Sequence, residues 1–275
     1  MLAHSVIEPK TSDPALYMLF LHGILGTRAN WRGIARRFVE TRPKWGAVLV
    51  DLREHGDSLG LAGPHSLSSA AADLIELEEA LALPIGGALG HSFGGKVVLE
   101  WLRSRQGRAT EAWTIDSTPS RGSVDGEASA TGKVLLLLEA LPRTWASRGA
   151  FIRALTDSGQ PEPLAQWLAM NLHRSEDGTR RFGPNLEVIR ELIDDYLRSD
   201  CWDVVEALPE GATLDLVIAG RSSVFSRVDR ERVEALASTN PRISVHVIPE
   251  AGHWVHVDSA DALLTLLTSR ASPQG

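Results

Sequence analysis

The chain has 275 residues, of which 43% are hydrophobic and 23% charged, with a formal net charge of −7. That length is enough for one large domain with a substantial core, and the composition is that of an ordinary globular protein rather than a disordered one. No clustered basic face offers a nucleic-acid footprint, and no apolar run approaches the roughly 18 residues that span a bilayer.

From the start of the chain, Met1 to Lys10 lacks the basic-then-apolar order of a secretory leader. The single cysteine, Cys201, excludes an internal disulfide and suits a reducing compartment, so a cytoplasmic protein is expected. Leu16–Leu21 is a continuous apolar run and reads as a buried strand, followed by a glycine-containing loop and a helix near Trp31 to Arg42. Gly46–Val50 is the next strand, ending at Asp51, and Ser66–Leu83 is an Ala/Leu/Glu-rich helix. Leu83–Leu89 is a short apolar strand. Lys96–Arg103 has helical spacing, with Val97, Val98, Trp101 and Leu102 on one side, and Glu111–Ile115 is a further strand. Strands alternating with helices predict an α/β fold, a mostly parallel sheet with helices on both faces.

From Ser117 to about Pro209 the alternation stops. This stretch is helical in pattern, over Lys133–Leu141, Arg148–Leu155, Pro163–Leu172 and Leu186–Leu208, with glycine and proline between the segments. Strand patterns resume at Thr213–Ala219 and Ile243–Ile248, and helices are expected over Arg230–Ala237 and Ala260–Ser269. The expected organisation is a core of residues 1–118 and 210–275, with a helical cap, 119–209, inserted between two strands above the carboxyl edge of the sheet.

Gly90-His91-Ser92-Phe93-Gly94-Gly95 lies where a strand turns into a helix. A serine in such a turn is held in a strained backbone with its hydroxyl exposed, and the glycines prevent collisions between segments. Its place at a helix N-terminus favours developing negative charge. The pattern Gly-x-Ser-x-Gly is weak alone, but the flanking strand and helix supply its context. A serine nucleophile needs a base, and the base needs an orienting acid. His253, in a loop after the last strand pattern, is the candidate base. For the acid two positions compete. Asp116 ends the strand that follows the serine's helix, whereas Asp229 lies beyond the penultimate strand and also reads as a cap or first-turn acid of a helix. A purely structural Asp116 is the third possibility.

The oxyanion of an acyl-transfer intermediate needs preorganised N–H donors. The backbone N–H of Phe93 is one candidate, and the N–H of Ile24 in His22-Gly23-Ile24-Leu25-Gly26 is the other. Ile24, Leu25, Phe93 and Trp254 are the expected substrate contacts. His22 reads as a loop-bracing residue, since no close pair of metal ligands occurs on one helix face, and no metal or other cofactor is expected. Asp51–Ser58 suits a tight structural loop, and Asp258 reads as the cap of the final helix. Cys201 reads as inert packing within a helix, and Trp145, Trp167 and Leu168 as core of the cap, with inward-facing cap residues contacting substrate. The arginines 143, 148, 153, 180 and 181 fit a solvated face as well as they fit an anionic substrate.

These residues resemble the α/β-hydrolase superfamily, and within it the small serine esterases related to bacterial YbfF and the eukaryotic abhydrolase-domain-11 group. The resemblance covers most of the chain. It rests on His22–Gly26 followed by Asn30-Trp31, Asp51-Leu-Arg-x-His-Gly-Asp-Ser58, Gly90–Gly95, Ile115-Asp-x-x-Pro119 and Gly252-His253. It implies the α/β-hydrolase fold with a helical cap, favours Asp116 as the acid, and makes Phe182–Leu186 the start of a cap helix. The chain departs from the wider superfamily in having no carboxylate soon after Gly220. It shows no clear strand before Leu16, so a shortened leading hairpin is expected. A serine at the elbow excludes the aspartate-nucleophile members.

The expected activity is hydrolysis of a small-molecule carboxylic ester through an acyl-enzyme, with Ser92 as nucleophile, His253 as base and Asp116 as acid. A cap of this size predicts a preference for short to medium acyl chains. Acyl thioesters and small lactones suit the same groups, and a weakly catalytic ligand receptor is the alternative of another class. The oligomeric state and the physiological acyl and alcohol groups are not encoded in any pattern of the chain.

Overall fold

The computed structural model describes residues 1–108, 110–122 and 130–269. The strands are β1 His4–Ile7, β2 Leu16–Leu21, β3 Trp45–Val50, β4 Ile85–His91, β5 Thr110–Ile115, β6 Thr144–Trp145, β7 Leu172–Arg174, β8 Arg180–Phe182, β9 Ala212–Ala219 and β10 Ile243–Ile248. The helices are α1 Arg32–Thr41, α2 Leu67–Leu81, α3 Phe93–Leu102, α4 Ala130–Ala140, α5 Arg148–Asp157, α6 Glu162–Leu168, α7 Leu186–Arg198, α8 Trp202–Glu206, α9 Arg227–Thr239, α10 Val255–Asp258 and α11 Ala260–Ser269. None is long and apolar enough to cross a membrane.

Seven strands form one sheet in the order β1-β3-β2-β4-β5-β9-β10, with β1 antiparallel to β3 and the remaining pairs parallel. The two-residue period of a strand explains how a run as apolar as Leu16–Leu21 is used. Met18 and Phe20 join Trp31, Phe38, Trp113 and Leu263 on one face, where α1 and α11 lie. Leu19 and Leu21 join Leu74, Val97, Leu99 and Val233 of α2, α3 and α9 on the other. From β2 the chain passes to β3 on one side and then to β4 on the other. That reversal opens a crevice beyond the carboxyl ends of β2 and β4, the usual ligand position in such sheets. One short strand, β1, precedes Leu16, where the sequence shows no clear strand. Its four residues carry little pattern of their own, and pairing with β3 makes them a strand.

Between β5 and β9 lies the insertion. It is helical in the main, but it also holds a small antiparallel sheet in the order β6-β8-β7, which strands of two or three residues had concealed. The expected long helix over 186–208 is two helices. Asn185 caps the first by accepting the N–H of Glu187, and the chain turns extended at Ser199 before α8. The break has a tertiary cause: the buried ammonium of Lys96, on α3, donates to the carbonyls of Tyr196 and Ser199 at 2.8 Å each and of Ser120 at 2.7 Å. Cys201 therefore sits between two helices and not within one. It is fully buried, and burial pushes its thiol up to about 12, which leaves it unreactive.

Candidate active site

Ser92 stands at the junction of β4 and α3 with φ 51° and ψ −115°, a left-handed backbone that a serine adopts only when its surroundings impose it. The glycines around it are required by close approach. A Cβ at Gly90 would collide with the Gly94 carbonyl, and one at Gly94 would lie 2.5 Å from the His22 carbonyl oxygen. The N–H of Ser92 donates to Ile115 O at 3.0 Å, tying the turn to the end of the adjacent strand.

At the end of β5, Asp116 is completely buried with φ 45°. Its Oδ2 accepts from His253 Nδ1 at 2.7 Å, and its Oδ1 accepts from the N–H of Ala219 at 3.2 Å. With Nδ1 committed as donor, the other ring nitrogen of His253 is the acceptor, the tautomer a general base requires. Asp229 is placed elsewhere. It forms a reciprocal capping box with Ser226 at the start of α9 and accepts the hydroxyl of Ser120. That cap begins the helix three residues before the expected Arg230.

The candidate oxyanion donors are main chain. Among the described residues, the N–H groups of Ile24 and Phe93 have no backbone acceptor. The loop that carries Ile24 is held by two buried neutral histidines. His22 Nδ1 donates to Gly23 O at 2.8 Å, while its Nε2 accepts the N–H of Leu52 at 3.0 Å. His55 Nδ1 donates to Arg53 O at 2.8 Å, while its Nε2 accepts the N–H of Leu25 at 2.8 Å. Burial pushes His22 down to about 4 and His55 down to about 3, and the two rings lie 4.9 Å apart. Each ring can serve as donor on one side and acceptor on the other only while neutral. The loop that carries His55 is itself fixed by Asp51, which accepts from the N–H groups of Arg28 at 2.6 Å and Asp57 at 2.9 Å.

Ser92, His253, Ile24, Leu25 and Trp254 line one cavity of about 280 Å³, walled on the insertion's side by Val134, Leu164 and Trp167. The rings of Trp167 and Trp254 meet across it at 5.8 Å. Trp167 packs against the core and also faces the cavity, the inward position expected of some cap residues. Two expectations need correction. The side chain of Phe93 does not line the cavity: its ring is buried behind the elbow, between His55 at 6.4 Å and Tyr196 at 6.1 Å. Asp258 does not cap the final helix; it ends α10, accepts the N–H of Gly252 at 3.0 Å and braces the loop of His253.

Two residues that pattern reading passed over also act on this loop and its neighbour. His91 Nε2 donates to the backbone carbonyl of His253 at 2.8 Å, and burial together with the nearby His253 and His256 holds His91 well below its usual range. His55 is the other. The signal for both was their presence inside polar, glycine-bearing motifs. No group of three His, Cys, Asp or Glu side chains among the described residues is arranged to hold a metal ion.

This fold and this arrangement define a class. The model of the alpha/beta hydrolase family matches residues 18–266, and the chain belongs to that family. It is a hydrolase. At 29% identity it is similar to the sn-1-specific diacylglycerol lipase ABHD11 of Danio rerio, over 97% of this chain and 81% of that one. At 28% identity it is similar to esterase YbfF of Escherichia coli strain K12, over 90% of this chain and 89% of that one. A solved marine microorganism esterase superposes with a TM-score of 0.81 at 22% identity, covering 98% of both chains, which shows the shared fold.

Proposed function

We propose that the protein hydrolyses carboxylic esters of short to medium acyl chains through an acyl-enzyme. Ser92 Oγ attacks the ester carbonyl as His253 takes its proton, and Asp116 holds the imidazole in the productive tautomer. The carbonyl oxygen becomes an oxyanion and takes the N–H groups of Ile24 and Phe93. Collapse expels the alcohol with the proton from His253, and water repeats the sequence to release the acid. The observation that carries this reading is the 2.7 Å bond from His253 to a fully buried Asp116, with His253 and a strained Ser92 facing one cavity. Two similar proteins named as an esterase and a diacylglycerol lipase support the ester as the bond attacked.

The insertion acts as a cap. Its Val134, Leu164 and Trp167 close the apolar wall around a volume near the lower end of ligand pockets, which favours short and medium acyl groups. Asp258 is the one carboxylate among the described residues lining the cavity, and no lysine or arginine accompanies it. A neutral acyl group suits that lining better than an anionic one. The test is a series of p-nitrophenyl esters from two to sixteen carbons, run on wild type and Ser92→Ala beside fluorophosphonate labelling. The expected result is labelling and turnover by wild type alone, with a maximum below the longest chains. Equal labelling of the variant refutes the nucleophile, and a maximum at sixteen carbons refutes the size preference.

A further inference from the structure

Gly23 to Gly26 is a tight turn closed by the N–H of Gly26 donating to Gly23 O at 2.9 Å. Its third residue, Leu25, has φ 59°, a conformation that turns of this kind reserve for glycine or asparagine. A leucine stays there only if its surroundings over-determine it. On one side they do so through His55, which holds the N–H of Leu25 from within the core. On the other side the pin comes from the insertion. Asn171 closes the single turn that follows α6, is completely buried, and donates from Nδ2 to Leu25 O at 2.7 Å. The same nitrogen lies 3.4 Å from Leu168 O. Two carbonyls facing one end of the amide identify that end as the NH₂. The backbone carbonyl of Asn171 in turn accepts the N–H of Gly183 at 2.9 Å, fixing the residue to the end of β8, the strand paired with β7.

We infer that Asn171 is a positioning residue through which the inserted segment holds the Ile24–Leu25 turn in the geometry that aims the Ile24 N–H at the oxyanion. The inference rests on the proposed role of that N–H. Both polar groups of Leu25 are taken, one by the core and one by the insertion, so the turn cannot relax toward a more favourable φ without breaking a buried bond. Removing the Asn171 donor frees the carbonyl of Leu25, and the turn swings the neighbouring N–H away from the position of the developing charge. The core by itself supplies half of the clamp, and the docked insertion completes it. Binding of the ground-state ester rests mainly on the other apolar walls, Val134, Leu164, Trp167 and Trp254, and depends little on this clamp.

The experiment compares wild type, Asn171→Ala, Asn171→Asp, His55→Leu and the Asn171→Ala/His55→Leu pair. For each, kcat and KM are measured on one p-nitrophenyl ester, together with the inhibition constant of an alkyl trifluoromethyl ketone. Ser92 Oγ adds to that ketone's carbonyl carbon, the serine proton passes to His253, and the carbonyl oxygen becomes the bound oxyanion. Loss of an oxyanion donor outright costs about 10²–10³-fold, so misaiming one should lower kcat about tenfold. Asn171→Ala is expected to weaken the ketone by a similar factor and to leave KM within about twofold. Asn171→Asp, nearly isosteric but with a carboxylate against two carbonyls, should lose more. The double variant should lose less than the product of its single effects, because both residues pin one turn. Wild-type kcat and ketone affinity in Asn171→Ala, a loss confined to KM, or fully multiplicative effects would overturn the inference. If Asn171→Ala fails to fold by circular dichroism, Asn171→Asp decides the question by the same criteria. Fluorophosphonate labelling of wild type at Ser92 separates this outcome from failure of the serine-hydrolase reading, which an unlabelled wild type alone would signal.

Discussion

On the base side of the cavity, two side chains 137 positions apart in sequence meet directly: Asp116 and His253, with the carboxylate fully buried and the imidazole partly open. On the side of Ile24 and Leu25, no charged side chain lines the cavity among the described residues. The groups proposed to act there are the main-chain N–H donors of Ile24 and Phe93, and the histidines behind them are buried, neutral and spent on holding loops in place. The same residue type thus has opposite uses within one site. In the proposed mechanism His253 keeps one nitrogen for chemistry, whereas His22 and His55 have both nitrogens committed to main-chain groups. A side that works through a titrating side chain fails when that residue changes. A side that works through the backbone fails when its supports change, even though they never meet the substrate.

The largest expected effect tests the first side. Asp116→Asn presents an amide that can donate where the carboxylate accepted, so His253 loses its productive tautomer, and kcat should fall by about 10²–10⁴-fold. Asp229→Asn keeps a side chain able to complete the capping box and should stay within about threefold. Both are measured on one ester, with circular dichroism to confirm folding. If Asp229→Asn is the crippled variant, the acid lies after β9 and the comparison between the two sides collapses.

The second side should respond less steeply. His55→Leu removes the acceptor of the Leu25 N–H while leaving every proposed catalytic group in place, and kcat should fall by about 10–100-fold with little change in KM. A drop as deep as that of Asp116→Asn would show that His55 does more than hold a loop. An unchanged kcat would show that the turn needs no such support.

The smallest effect separates the histidines by their protons. In the unfolded chain the imidazoles of His22 and His55 take up a proton near pH 6.5, whereas in the fold they stay neutral until about pH 4 and about pH 3. Stability present above pH 6.5 is therefore lost as the pH falls toward 3, because the unfolded state binds the extra protons. His55→Leu should make that loss shallower by up to about 1.4 kcal/mol per pH unit between pH 6 and 4. Urea midpoints of wild type and variant across that range give the answer, and parallel slopes would mean that His55 is not held neutral by the fold.

Much of the architecture was legible in advance, and the reason is local. Leu16–Leu21 and Ile243–Ile248 are strands at the expected boundaries, and α2 starts after Ser66, whose hydroxyl accepts the N–H of Ser69. What escaped was short or externally imposed. The strand β1 exists because β3 offers a partner, and β6 to β8 are too brief for a period to show. The helix over 186–208 is broken by Lys96 from another element.

By itself the sequence determined the strand–helix alternation, the strained serine between its glycines, and the residue types able to supply a nucleophile, a base and an acid. Those properties reside in side-chain chemistry and in periods of two and 3.6 residues, which a short window contains. Tertiary structure decided which carboxylate meets His253, which wall Trp167 belongs to, and what holds the Leu25 turn at φ 59°. The supports of that turn come from 30 and 146 residues away and act on main-chain atoms common to every residue. A backbone donor carries no mark in the sequence, so its aim is written only where distant segments meet.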